Sequence, residues 1–236
     1  MKHKNMKYEF EKKNLSVSLR DDADKSVFNE IFKFREYRCA ESVIIDAKNT
    51  IIDAGAHAGF FTLYAKCFNP SVKIIALEPD KNNLSAMEEL IEKNELRNIE
   101  TALTALSGVS GSRFLLISND SHNHRLSEIE ESVVGKSNVA VSAISLSDLL
   151  KTEKEISLLK MDIEGGEFEI IESLNSETAQ KIDAIVMEYH DTANRTHKVL
   201  EEKLRSLGFG VEVHPSQFER TMGFIFAKRK SSRTRS

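Results

Sequence analysis

Ile51-Ile52-Asp53-Ala54-Gly55-Ala56-His57-Ala58-Gly59-Phe60-Phe61-Thr62 decides the fold. A short apolar run ends in an acid, two glycines follow, and an apolar helical pattern begins at Phe60. That order spells strand, tight turn and helix start. Glycine lets the backbone approach a ligand closely, and a helix N-terminus offers unpaired N–H groups to a carboxylate or phosphate. A second apolar run, Ile74-Ile75-Ala76-Leu77, ends in Glu78-Pro79-Asp80. A carboxylate about 20 residues beyond the glycine turn is placed to accept both hydroxyls of a ribose. Together the two segments predict a nucleoside-bearing cofactor lying across the ends of two adjacent parallel strands.

The glycine spacing narrows the cofactor. A dinucleotide fingerprint needs Gly-x-Gly-x-x-Gly so that the backbone can approach a pyrophosphate. Here His57 holds the middle position and no third glycine follows Gly59. The Gly-Lys-Ser/Thr of a phosphate loop is absent as well. S-adenosylmethionine remains. It has a ribose for Glu78 and an amino-acid carboxylate for the helix start, but no phosphate. An ordinary glycine turn would account for the first segment alone, and Glu78 at the right spacing argues against it.

Three segments resemble the FkbM-type S-adenosylmethionine-dependent methyltransferases. They are Asp53-Ala-Gly-Ala-His-Ala-Gly59 with Thr62-Leu63, then Glu78-Pro79-Asp80, then Leu159-Lys160-Met161-Asp162-Ile163-Glu164-Gly165-Gly166-Glu167. The resemblance covers roughly residues 49–191, and its third segment is the most specific. The first two are shared by most methyltransferases with a seven-stranded sheet. His57 stands where the resemblance leads one to expect Asn. Both side chains can hydrogen-bond a carboxylate. The resemblance implies a class I fold, S-adenosyl-L-methionine as cofactor, and an acceptor hydroxyl on a small molecule, sugar or glycan.

Composition bounds the rest. The 236 residues suffice for one α/β domain with a modest extension. Hydrophobic residues make up 40% and charged residues 30%, as in a soluble globular protein. A net charge of −4 does not favour a nucleic-acid partner. Cys39 and Cys67 suggest no disulfide framework. No apolar run approaches the roughly 18 residues of a membrane span, and the basic start, residues 1–7, leads into no apolar stretch. A cytoplasmic protein is expected; the oligomeric state is not legible.

The pattern predicts a doubly wound, mostly parallel seven-stranded α/β sheet with a small N-terminal extension. Residues 1–48 read as a cap, 49–229 as the methyltransferase domain and 230–236 as a basic tail. In the cap, residues 8–20 suggest a hairpin, 25–38 one amphipathic helix and 42–45 a short strand. Parallel strands are expected at residues 50–53, 72–77, 99–106, 156–161 and 182–187. Helices are expected at 80–95, 145–150, 166–174 and 196–207, the first of them capped by Asp80. Residues 112–117 and 139–144 read as added strands, 118–137 as polar and irregular, and 209–214 with 223–228 as a terminal antiparallel pair.

Right-handed crossovers bring the strand ends to one edge, where ligands of such sheets bind. Asp53, Glu78, Asp162 and Glu188 should therefore face one cleft. Asp53 would order the turn and hold the methionine amino group through the backbone. Gly55, Ala56 and Gly59 would approach the methionine part. His57 would bond its carboxylate or else cap the turn. Glu78 and Pro79 would border the ribose, Thr104 and Ala105 the adenine, and Asp162 the transferred methyl. Methyl transfer to an alcohol gains from a general base, and His190 is the candidate, with Glu164 on the substrate side. Glu167 sits in the first helical turn, where an acid favours the dipole. His122, Asn123, His124 and Arg125 read as a sugar-binding lid or an ordinary exposed loop. Two alternatives stay open. A metal-dependent methyltransferase would use Asp162 with Glu188, His190 or Asp191, and a non-catalytic module would only bind the cofactor. Residues 1–48, through Tyr37 and Arg38, are expected to serve the acceptor and not the cofactor.

Overall fold

The computed structural model describes residues 4–117, 125–127, 137–216 and 219–230. Strands β1 (Lys4–Phe10) and β2 (Lys13–Leu19) form an antiparallel hairpin, and α1 (Asp22–Phe28) follows. A π-helical stretch (Asn29–Phe34), a 3₁₀ turn (Glu36–Ala40) and α2 (Glu41–Asp46) complete the segment before the sheet. Then come β3 (Thr50–Ala54), α3 (Phe60–Phe68), β4 (Ile74–Leu77), α4 (Lys81–Lys93) and β5 (Ile99–Ala102). A second sheet holds β6 (Ala105–Ser107), β7 (Gly111–Ile117), β8 (Arg125–Ser127) and β9 (Ser137–Ser145). The chain ends with α5 (Leu146–Thr152), β10 (Ile156–Met161), α6 (Glu167–Ser173), α7 (Ser176–Gln180), β11 (Ala184–His190), α8 (His197–Ser206), β12 (Phe209–Pro215) and β13 (Met222–Arg229).

The main sheet has seven strands in the order β12-β13-β11-β10-β3-β4-β5. The run β11-β10-β3-β4-β5 is parallel, and β13 joins β11 antiparallel. The α/β fold with a mostly parallel seven-stranded sheet is as the sequence predicts. Order reverses beside β3 and β10, so the cleft opens above their carboxyl ends.

Successive residues of a strand point to opposite faces, and each face buries its own layer. Ile51, Ile74, Leu158 and Val186 pack with Phe60, Phe61 and Tyr64 of α3 and with Phe10, Phe28 and Phe32 of the N-terminal segment. Ile52, Ile75, Leu159 and Ile185 pack with Leu149 of α5, Phe168 and Ile171 of α6, and Leu200 and Leu204 of α8. Each such side chain contributes about 1.5–3 kcal/mol by leaving water. The N-terminal segment is held by rings: Phe28 stacks on Phe32 at 4.8 Å between centroids, and Tyr8 meets Phe28 edge-on at 5.0 Å.

Four elements differ from expectation. The single helix over residues 25–38 is broken at Arg35, which takes a left-handed φ of 54°. Its guanidinium bonds Glu41 Oε1 at 2.7 Å, which offsets the strain, and Phe34 is left turned outward. Residues 42–45 are helical, because Val43 and Ile44 bury one side of α2 against the sheet layer while Ile45 stays exposed. The strand expected over 99–106 is two strands in two sheets, split by a turn in which Thr104 N–H bonds Ala102 O. Strand β11 runs on to His190 because β13 pairs with it there, Glu188 opposite Phe224 and His190 opposite Met222. Helix α7, capped by Asn175, had no place in the sequence reading. His122, Asn123 and His124 lie outside the described residues, as do residues 231–236 of the tail; Arg125 opens β8.

Candidate active site

The turn after β3 is held from beneath. Asp53 is fully buried, and the register of β10 against β3 sets Lys160 directly beside it. Lys160 Nζ lies 3.1 Å from Asp53 Oδ1 and donates to Gly55 O at 2.9 Å. Thr62 Oγ1 donates to Asp53 Oδ2 at 2.8 Å, which ties the first turn of α3 to the strand end. Gly55 has φ 72°, and a Cβ there would stand 1.9 Å from Asp162 O. Only glycine fits so close an approach. Gly59, at φ 83°, starts α3, where a Cβ would meet Met87 Cγ at 2.7 Å.

Above this floor lies a cavity of about 850 Å³, within the roughly 300–1,000 Å³ of small-molecule sites. At one end its wall includes Gly55, Ala56, His57, Glu78, Pro79 and Ala105. Asp162 stands beside Gly55, and beyond it Glu164, Glu188 and His190 share the cavity with Glu30, Phe34 and Glu36 of the N-terminal segment. Most site residues expected from the sequence thus border one space. Asp53 and Gly59 lie beneath it as supports. Thr104 is not on the wall, because the turn into β6 presents Ala105 instead.

Glu78 is almost fully buried. Its Oε2 accepts the His57 N–H at 2.8 Å and its Oε1 the Asp80 N–H at 2.9 Å. Burial pushes its carboxyl up to about 7, against the pull of those hydrogen bonds. The His57 side chain reaches the N-terminal segment, its Nε2 3.6 Å from Asp24 Oδ1. The segment before β3, expected to serve the acceptor side, therefore also reaches the Glu78 end.

The opposite end concentrates acids. Burial first, then the charges of Asp162 and Glu167, push Glu164 up to about 8. Glu36 rises to about 7 through burial, Glu30 and Asp162. Glu188 is pushed well up by burial and then by Asp162 and Glu164, with which it shares the wall. His190 Nε2 lies 3.7 Å from Glu164 Oε2 and 4.0 Å from Glu188 Oε1. Burial lowers the His190 pKa, so its ring is neutral at physiological pH. Tyr37, buried between Phe61 and Phe224, sets its hydroxyl 3.4 Å from Asp162 Oδ2.

Glu167 has a different role from its neighbours. Fully buried, it accepts the Ile163 and Gly165 N–H groups, each at 2.9 Å, and so shapes the turn that presents Asp162 and Glu164. Asp191 bonds His197 at 2.8 Å and does not line the cavity. Lys160, which braces the turn and lines the cavity, was passed over by sequence reasoning. Its signal was a lone lysine in the apolar run Leu158-Leu159-Lys160-Met161, since a buried ammonium needs a carboxylate nearby.

No helix among the described residues is long and apolar enough to cross a membrane. The donor set fits S-adenosylmethionine: a buried carboxylate beside a backbone turn, with apolar walls at Ala105 and Leu106. Methyltransferase 1 of Beauveria bassiana is 28% identical over 200 residues, covering 75% of this chain and 78% of that protein. Methyltransferase sdnD of Sordaria araneosa is 26% identical over 227 residues, covering 81% and 86%. Fibrillarin of Aeropyrum pernix, solved with natively bound S-adenosyl-L-methionine, matches with a TM-score of 0.52 at 11% identity, over 94% of this chain and 82% of that one. That likeness speaks for the fold alone. The model of the methyltransferase FkbM domain matches residues 53–211, more than half of the chain. The protein is a methyltransferase and belongs to the FkbM family.

Proposed function

We propose that this chain methylates a hydroxyl of a small-molecule, sugar or glycan acceptor, with S-adenosyl-L-methionine as donor. The observation that carries the reading is one cavity with a buried carboxylate at the glycine turn and a neutral histidine on the opposite wall. Bound at the turn, the cofactor supplies an electrophilic methyl on a sulfonium. The protein then has two tasks. Glu78 holds the ribose while Gly55 and Ala56 let the backbone close on the amino-acid part. Across the cavity, Asp162 and Glu164 orient the acceptor and His190 takes its hydroxyl proton. Glu164 Oε2, 3.7 Å from Nε2, faces the imidazolium that results. Positioning of this kind is worth several kcal/mol, and a general base adds typically about 10²- to 10⁴-fold.

Calorimetry with S-adenosylmethionine, its demethylated product, NAD and ATP tests the reading. Saturable micromolar binding of the first two and far weaker binding of the others supports it. Preferential binding of NAD sinks it. Turnover that persists under a chelator separates it from a metal-assisted transfer.

A further inference from the structure

Glu78 stands on supports that come from outside the sheet. Of its polar neighbours, His57 donates a backbone N–H at 2.8 Å, and the Asn83 amide lies 3.5 Å from Oε1. Both residues are held in turn by one ion pair of the N-terminal segment. Asp24 is fully buried in the first turn of α1. Arg20 binds it three times, through Nε at 2.8 Å, Nη2 at 2.6 Å and its own N–H at 2.7 Å. The same Nη2 donates to Asn83 Oδ1 at 3.0 Å, and Nη1 to Asn82 O at 3.2 Å. On the other side, His57 Nε2 lies 3.6 Å from Asp24 Oδ1 and 3.4 Å from Arg20 Nη2. One guanidinium therefore touches the start of α4 and the glycine turn at once.

We propose that the Arg20–Asp24 pair positions the cofactor site, fixing His57 and Asn83 and through them the Glu78 carboxylate. Glu78 is buried with little slack, so the direction of its free lone pairs depends on where His57 and Asn83 stand. The geometry needs a planar, forked cation, because one group must bind a carboxylate side-on and still reach two positions of α4; a lysine is a point charge and cannot do both. A pair kept for stability alone has no need of that reach, and a buried ion pair is weak evidence of stability in any case. The inference rests on the reading that Glu78 holds the ribose. It also makes the cap a part of the cofactor site. By linkage, a ligand that Glu78 grips must tighten the docking of the cap in return.

A double-mutant cycle tests this. Wild type, Arg20→Lys, Glu78→Gln and the double variant are titrated calorimetrically with adenosine and with S-adenosylhomocysteine, after thermal melts establish that each is folded. Arg20→Lys keeps the charge beside Asp24, and Asn83→Ala serves as a second probe if that variant fails to fold. The expected result is a loss of about tenfold on Arg20→Lys in the wild-type background and less than about twofold when Glu78 is already Gln. Amide exchange at Arg20 and Asp24 should slow when adenosine binds the wild type. Equal losses in both backgrounds would make the pair a support of the fold only and overturn the proposal. No loss on Arg20→Lys, with a clear loss on Glu78→Gln, would overturn it while leaving the role of Glu78 intact. Full affinity in Glu78→Gln would overturn the ribose reading, and this inference with it.

Discussion

The two ends of the cavity are built in opposite ways. At the Glu78 end each buried charge has met its partner inside the protein: Asp53 with Lys160 and Thr62, Asp24 with Arg20, Glu78 with two backbone N–H groups. At the Glu164 end, Asp162, Glu164, Glu188 and Glu36 crowd one another, and burial with mutual repulsion pushes Glu36, Glu164 and Glu188 upward. His190 Nδ1 is buried with no hydrogen-bond partner among the described residues. One end has its charges paired before any ligand arrives, with Glu78 keeping lone pairs for it, and in that sense is finished; the other holds polar groups that a ligand would complete. The difference teaches that binding geometry and reactivity are separate problems here. A cofactor needs a fixed cradle, whereas proton transfer needs groups whose charge can change near neutral pH.

Mutations should split along the same line. The largest effect is expected at the unfinished end. His190→Ala should lower kcat by about 10²- to 10⁴-fold while leaving the affinity for S-adenosylhomocysteine within about twofold. Single-turnover transfer and calorimetry on the same preparation check this, and a loss of cofactor affinity would erase the distinction between the ends.

Next in size is the finished end. Glu78→Ala should weaken cofactor binding at least about tenfold, since each hydrogen bond to a charged group is worth about 1.5–3 kcal/mol. The ionised carboxylate is the better acceptor and its pKa lies at about 7. Adenosine, which lacks the amino-acid charges, should therefore bind more tightly as pH rises from 6 to 8 and level off above. Titrations in Glu78→Gln should be flat over that range.

The smallest effect concerns stability. Glu164 has a folded pKa of about 8, above the ordinary value of 4.5. The unfolded chain thus releases its proton first, so stability present below 4.5 is lost as pH rises towards 8. Glu164→Gln removes that loss. It should leave the Tm unchanged at pH 4 and raise it by a few degrees at pH 8, at roughly 2–4 °C per kcal/mol for a chain of this size. A gain independent of pH would mean that repulsion among these acids is not what strains this end.

The contrast also sets what was legible in the sequence. The Glu78 end is encoded locally: a strand, a glycine turn and an acid at fixed spacing yield Gly55, Ala56 and Glu78 without knowledge of the rest of the chain. The strand–helix alternation likewise yields the sheet, because fully buried parallel strands read as continuous apolar runs. Asp162, Glu164 and His190 were found through strand ends, and all three stand on the cavity wall. What escaped depends on distant pairing. The extension of β11 to His190 follows from its register with β13, and Arg20 meets Asn83 across 63 positions of sequence. The break at Arg35 follows from its contact with Glu41 and from no periodicity in residues 25–38. Thr104 stands off the cavity wall because the residue count of a turn decides which neighbour faces the cavity.

The central claim is that one cavity sets a methyl donor at the glycine turn against a hydroxyl acceptor at His190. A crystal structure with S-adenosylhomocysteine tests it most directly. The account predicts both ribose hydroxyls on Glu78, the amino-acid part along Gly55 and Ala56, and the sulfur directed at the space between Asp162 and His190. A ribose bound away from Glu78, or a sulfur directed away from the Asp162–His190 wall, would contradict it.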